Sequence, residues 1–93
     1  MTGQEIRAVD VTISGHVQGV FFRARTQEQA ARLGVAGWVS NQPDGTVAGH
    51  FEGTADAVAE LLEWCRTGPE RARVDDVRVT DVEPGGASGF DVH

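Results

Sequence analysis

Short stretches of the chain alternate between apolar and polar residues, with the period of two that is typical of half-buried strands. In the segment from Ala8 to Ser14, the apolar side consists of Val9, Val11 and Ile13. Two more strands are predicted from Ala36 to Asn41 and from Thr46 to Glu52. They flank a Gln-Pro-Asp-Gly turn at 42–45, where proline fixes one backbone angle and glycine permits a positive one. These two strands are therefore predicted to form a hairpin.

Two other segments have the spacing of amphipathic helices. The first is FFRARTQEQAARL, which ends before Gly34, a residue type suited to a helix C-cap. The second follows Thr54, a good N-cap residue, and ends at Gly68-Pro69. Its apolar stripe repeats at i, i+3, i+4 and i+7 through Val58, Leu61, Leu62 and Cys65.

The end of the chain completes the order of elements. Val77 and Val79 share one face of a strand after the second helix, and Phe90 to Val92 forms a short terminal strand. The order strand, helix, strand, strand, helix, strand is that of a ferredoxin-like split βαβ arrangement, βαββαβ. We predict an α+β sandwich in which a four- to five-stranded, mostly antiparallel sheet carries both helices on one face.

Composition narrows the classes of protein to consider. With 93 residues, 40% apolar and 24% charged, the chain is expected to form a single globular domain over residues 1–93. A net charge of −6 argues against nucleic acid as a partner, because non-specific binding needs many cationic contacts with phosphates. The single cysteine, Cys65, excludes an internal disulfide. Without a signal-peptide pattern or a membrane-length apolar run, a cytoplasmic monomer with no membrane contact is expected.

The link between the first strand and the first helix carries the most distinctive chemistry. It reads GHVQGVFFR, and Gly15 and Gly19 permit backbone conformations that other residues reach only with strain. Such a loop can turn its N–H groups inward to bind an anion, and the start of the next helix adds unpaired donors. Arg23 falls in the first helical turn, where its planar guanidinium can hold two phosphate oxygens. In a purely structural alternative, the glycines only shape the turn and Arg23 is solvated.

Two motifs resemble those of the acylphosphatase family. Residues 13–23, ISGHVQGVFFR, match its first motif at every fixed position: an aliphatic residue, Gly, Val-Gln-Gly-Val, Phe and Arg. Residues 37–53, GWVSNQPDGTVAGHFEG, resemble its second motif, with Asn41, Gly45, Val47 and Gly53 in register. The resemblance extends over nearly the whole chain. It departs at Ser40, where a longer and often basic side chain is usual, and at His93, where tyrosine is common.

The resemblance implies a hydrolase that converts small acyl phosphates to a carboxylate and inorganic phosphate. It assigns phosphate binding to Arg23 and placement of the attacking water to Asn41, whose carboxamide offers both an acceptor and donors. No metal and no other cofactor are implied, because a carboxylate leaving group departs without needing a proton. The loop implied to bind substrate consists of Gly15, His16, Val17, Gln18, Gly19, Val20 and Phe21.

Other interpretations stay open at the level of sequence. Asn41 could instead end a strand and cap the following turn, and a regulatory module could keep the anion loop without turnover. His50 is predicted on the polar side of its strand, and no histidine pair has metal-ligand spacing. The acidic residues between Asp75 and Glu83 are predicted to form the solvated face of an edge strand. Trp38 and Trp64 are expected to be packing residues.

Overall fold

The fold is a five-stranded sheet with two helices, and the computed structural model describes it for residues 5–93. The elements in chain order are β1 (Ile6–His16), α1 (Phe22–Leu33), β2 (Ala36–Asn41), β3 (Val47–Thr54), α2 (Ala55–Thr67), β4 (Arg73–Val82) and β5 (Phe90–Val92). The strand order is β4-β1-β3-β2-β5, and β5 is parallel to β2 while the other pairs are antiparallel. Because β3 lies between β1 and β2, the first βαβ unit is split, and the predicted ferredoxin-like fold is confirmed.

The core lies between the sheet and the two helices. Val9, Val11 and Ile13 of β1 are buried on the side that the alternation predicted. The helices bury Phe22, Thr26, Ala30, Val58, Leu61, Leu62 and Cys65 against them. Burial raises the pKa of the Cys65 thiol to about 12, as expected of a packed side chain rather than a nucleophile.

Helix ends form at the predicted residues. Gly34 caps α1 with φ 74°, a left-handed conformation in which its N–H donates to the carbonyls of Ala30 and Ala31. Thr54 precedes α2, and its hydroxyl accepts a hydrogen bond from the N–H of Ala57 at 3.3 Å. In the described part of the chain, neither helix is long and apolar enough to cross a membrane.

The two tryptophans differ in their surroundings. Trp64 packs as expected, with its ring 5.6 Å from that of Phe22 between centroids. Trp38 contradicts the expectation of packing, because it is 36% exposed on β2. Its cross-strand partner is His50, so it shares the sheet face that the helices do not cover, and its ring lies 6.2 Å from that of His93.

A buried carboxylate fixes the chain where it passes from β4 to β5. Glu52 points to the helix-free face and accepts hydrogen bonds from the N–H groups of Gly85, Gly86 and Ala87 at 3.1, 2.7 and 3.3 Å. His50, beside it, lies 3.1 Å from Glu52 and 2.8 Å from Asp10. The alternation of polar and apolar residues predicted His50 on the polar side of β3, but it did not predict the contacts of His50 with Asp10 and Glu52.

The pKa values of this cluster make the stability of the fold depend on pH. Hydrogen bonds from His50 and from the backbone of residues 85–87 outweigh burial and lower the pKa of Glu52 from 4.5 to about 2. Burial alone would lower the pKa of His50, but its hydrogen bonds with Asp10 and Glu52 outweigh that effect and raise it above 6.5. Glu52 therefore stabilises the fold above pH 4.5, and its contribution is lost as the pH falls towards 2. His50 stabilises it below pH 6.5, and that contribution is lost as the pH rises through the raised pKa.

We expect Glu52→Gln to lower the free energy of unfolding near neutral pH and to flatten the loss of stability between pH 4.5 and 2. The amide keeps the size of the side chain but removes its negative charge. In the wild type, that carboxylate pairs with His50 and accepts hydrogen bonds from three backbone N–H groups. Urea denaturation at a series of pH values measures both effects. Glu63→Gln, on the exposed face of α2, is the matched control. An unchanged acid dependence in Glu52→Gln would show that the carboxylate does not control it.

Candidate active site

The loop between β1 and α1 is shorter than the sequence indicated. β1 continues to His16, and Gly15 and His16 pair with β4 after a register shift at Ser14. Gly15 has φ 126°, and a Cβ there would lie 2.1 Å from the carbonyl oxygen of Arg73. Glycine is required at this position because the neighbouring strand approaches so closely. The loop proper is therefore residues 17–21.

The loop is anchored at both ends and in its middle. Val17 and Val20 are buried in the core, with 1% and 7% of their surfaces exposed. Between them, the side-chain amide of Gln18 donates to the carbonyls of Gln42 and Thr46, both at 2.9 Å. This pair of hydrogen bonds ties the loop to the β2–β3 turn, which begins immediately after Asn41. Gln18 thus positions the loop next to the end of β2.

Arg23 lies in the first turn of α1, as predicted. The helix begins after Phe21, whose backbone is left-handed with φ 64° and whose side chain makes no capping hydrogen bond. No acidic side chain occupies the first turn, so the positive end of the helix dipole is left to attract an anion. The guanidinium donates through Nη1 to the main-chain oxygen of His93. Four other arginines pair with carboxylates instead: Arg7, Arg25, Arg32 and Arg73.

Asn41 is the last residue of β2. It follows Val39 by two positions, so its side chain lies on the helix-covered face, whereas Ser40 points to the other face. The Oδ1 atom of Asn41 is buried and accepts no hydrogen bond from any group in residues 5–93. Since buried polar atoms are almost always satisfied in folded proteins, this acceptor is available to a donor such as water.

Arg23 and Asn41 converge on one cavity of about 270 Å³. Its walls are formed by Val17, Gly19, Phe21, Phe22, Arg23, Ala24, Asn41 and Val92. Arg23 is the only charged side chain among them, so the cavity wall carries a single positive charge although the chain has a net charge of −6. The arrangement suits an anion with an apolar substituent.

The predicted loop residues divide into two groups. Val17, Gly19 and Phe21 line the cavity. The remainder lie in β1, anchor the loop or are buried beneath it: Gly15, His16, Gln18 and Val20. In residues 5–93, no cluster of three or more His, Cys, Asp or Glu side chains is arranged to hold a metal ion.

Sequence reasoning missed two contributions from the end of the chain. Val92 of β5 lines the cavity, and the main-chain oxygen of His93 receives the hydrogen bond from Arg23. Both reach the site because β5 pairs with β2, where Val92 lies opposite Val39. No local sequence pattern predicts the parallel pairing of β5 with β2, because the two strands are far apart in sequence.

Residues 9–92 match the family model described as Acylphosphatase. The chain belongs to the acylphosphatase family. A curated acylphosphatase from Rubrobacter xylanophilus is 55% identical and covers 98% of this chain, which in turn covers 84% of that protein. The solved acylphosphatase from Coxiella burnetii is 36% identical, with a TM-score of 0.92 and full coverage of both chains. The acylphosphatase from Bacillus subtilis is 31% identical, with a TM-score of 0.91 over 96% of this chain and 99% of that one.

These comparisons confirm the family and the fold that the two motifs and the order of elements predicted. Members of this family hydrolyse acyl phosphates, so the chain is an acylphosphatase-type hydrolase whose substrates are small molecules. The two solved structures also support the assignment of the fold, because their structural similarity extends over almost the whole chain. The roles of individual residues in the cavity are a separate question.

Proposed function

We propose that the chain hydrolyses acyl phosphates by in-line attack of a water molecule placed by Asn41 on a phosphoryl group held by Arg23 and the loop amides. The observation that carries this proposal is the meeting of one guanidinium and one unsatisfied buried acceptor in a single cavity. The new bond joins the water oxygen to phosphorus, and the bond from phosphorus to the acyl oxygen breaks. The products are a carboxylate and inorganic phosphate.

Phosphate binding draws on three kinds of donor. The guanidinium of Arg23 offers a planar fork that matches two phosphoryl oxygens. The first turn of α1 and the backbone around Gly19 add N–H groups. Because the fold holds these donors in place, they can stabilise the charge that develops on the equatorial phosphoryl oxygens without a change in conformation. Phosphoryl transfer needs this stabilisation together with an in-line geometry, and it needs little covalent participation from the protein.

The role of Asn41 is to orient water rather than to remove its proton. An asparagine amide is not a base at physiological pH, but its Oδ1 accepts a hydrogen bond from water while its amide group donates to a phosphoryl oxygen. The released proton passes to the phosphate product or to solvent. Because the departing carboxylate is a weak base, the step requires no general acid, no metal and no cofactor.

Phosphate release from benzoyl phosphate, measured in the presence of excess chelator, tests the proposal. We expect turnover to be the same with and without chelator, because every proposed interaction with the phosphoryl group comes from the protein. Because the proposed mechanism needs only residues of a single chain, we expect specific activity to be independent of protein concentration, as for a monomer. Activity that chelator abolishes and a divalent cation restores would contradict the mechanism.

A further inference from the structure

Two large apolar side chains are exposed at the mouth of the cavity. In residues 5–93, four such side chains have more than a third of their surface exposed: Ile6, Phe21, Trp38 and Val92. Phe21 is 73% exposed and Val92 is 39% exposed, and both line the cavity that holds Arg23. Single exposed apolar residues are common on protein surfaces, but apolar residues that line a cavity together with convergent polar groups are typical of ligand-binding sites.

Phe21 also holds an unfavourable backbone conformation. Within the described residues, it is the only residue other than glycine with a positive φ, at 64°. This conformation costs roughly 1–2 kcal/mol for a residue that has a side chain, and glycine or asparagine would adopt it more easily. Packing of the ring in the core does not offset this cost, because most of the ring faces solvent. The ring is instead placed where it can contact a ligand in the cavity.

The walls of the cavity divide by chemistry. Arg23 and Asn41 supply the polar groups, and the remaining side chains are apolar: Val17, Phe21, Phe22, Ala24 and Val92. In an acyl phosphate, the acyl group is joined to phosphorus through a single oxygen. When the phosphoryl group occupies the polar donors, the acyl group lies within reach of the apolar wall. A volume of about 270 Å³ is small for a ligand pocket, so it suits a phosphoryl group with a compact substituent.

We propose that Phe21 and Val92 form an acyl-binding rim that favours ring-sized apolar acyl groups over the acetyl group. This inference rests on the proposed function and adds a specificity-determining role to it. An aromatic acyl group can stack on the Phe21 ring and cover part of its exposed surface, whereas an acetyl group reaches little of it. The rim therefore contributes to discrimination between substrates, while Arg23 serves all of them equally.

The test compares kcat/KM for benzoyl phosphate and acetyl phosphate in the wild type and in Phe21→Asn. Asparagine tolerates a positive φ, so the loop keeps its backbone while the ring is removed. We expect the benzoyl-to-acetyl ratio of kcat/KM to fall about tenfold, which corresponds to about 1.4 kcal/mol. Val92→Asn should lower the same ratio by a smaller factor, because valine offers less surface. Ile6→Thr, at an exposed apolar position outside the cavity, should leave the ratio unchanged.

An unchanged benzoyl-to-acetyl ratio in Phe21→Asn would overturn the rim, whether kcat/KM stays the same for both substrates or falls equally for both, because an equal fall describes a general effect on the loop. Inhibition by phenylphosphonate and by inorganic phosphate gives a second readout. In Phe21→Asn, the inhibition constant of phenylphosphonate should rise relative to the wild type, while that of inorganic phosphate should not. Failure of the proposed function would give a different kinetic result. In that case the wild type hydrolyses neither substrate, or Arg23→Ala retains activity towards both.

Discussion

Arg23→Ala is expected to slow hydrolysis of benzoyl phosphate by roughly 10³-fold or more, by analogy with arginines that stabilise phosphoryl transfer. Such a loss corresponds to about 4 kcal/mol of transition-state stabilisation. The reason is that Arg23 is the only charged side chain in the cavity wall, so no neighbouring cation can replace it. Measurements of kcat and KM by phosphate release, over a range of substrate concentrations, quantify the loss.

Two further variants separate the charge of Arg23 from its shape. Arg23→Lys keeps the charge but loses the planar fork, and we expect it to recover only a small part of the activity. Arg25→Ala, two residues along the same helix, removes an exposed guanidinium that pairs with Glu28, and it should behave as the wild type. Near-normal turnover in Arg23→Lys would show that a point charge is sufficient and that bidentate contact is not used.

Most of the fold could be predicted from the sequence because the patterns that indicate its helices and strands are local. The alternation of Val9, Val11 and Ile13 set the buried face of β1, and the cap residues Thr54 and Gly34 marked helix ends. These features depend on backbone preferences and on burial within a few residues. The length of β1 was underestimated at both ends, because its first two residues pair with β3 and its last two pair with β4, contacts that neighbours in sequence do not encode.

The site was accessible from sequence only in part. Its loop and its first helical turn follow from glycine spacing, and the second motif drew attention to Asn41. By contrast, the contribution of Val92 depends on parallel pairing of β5 with β2. The tie between Gln18 and the β2–β3 turn likewise joins segments that meet only in the folded chain. Long-range pairing of this kind carries no periodic signal, so it has to be observed.

The strain at Phe21 was also beyond sequence reasoning. Phe21 and Phe22 are adjacent and chemically identical, yet Phe22 is buried, with 1% of its surface exposed, and Phe21 is not. Phe21 turns outward because the chain adopts a left-handed conformation just before α1. The left-handed conformation at Phe21 thus places an exposed ring beside the buried ring of Phe22, and both line the cavity. In the proposed mechanism, the phosphoryl group is therefore bound in a cavity whose outer wall is apolar.

Asn41→Ala is expected to lower kcat by about 10²–10³-fold, the loss seen when one preorganised hydrogen-bonding group is removed from a transition state. Alanine deletes the buried Oδ1 that would accept the hydrogen bond from water. Substrate affinity should change much less, because Arg23 and the loop amides still hold the phosphoryl group. Steady-state kinetics together with inhibition by inorganic phosphate distinguish the two parameters.

Asn41→Asp is the informative companion because it preserves the shape and the acceptor oxygen of the side chain. A carboxylate can still accept a hydrogen bond from water, but it places a negative charge opposite the phosphoryl group and cannot donate to it. We therefore expect phosphate affinity to fall in Asn41→Asp and to be nearly retained in Asn41→Ala. If Asn41→Ala weakened inhibition by inorganic phosphate as strongly as it lowered kcat, Asn41 would act mainly in phosphate binding rather than in placing the water. The division of labour between Arg23 and Asn41 would then be wrong.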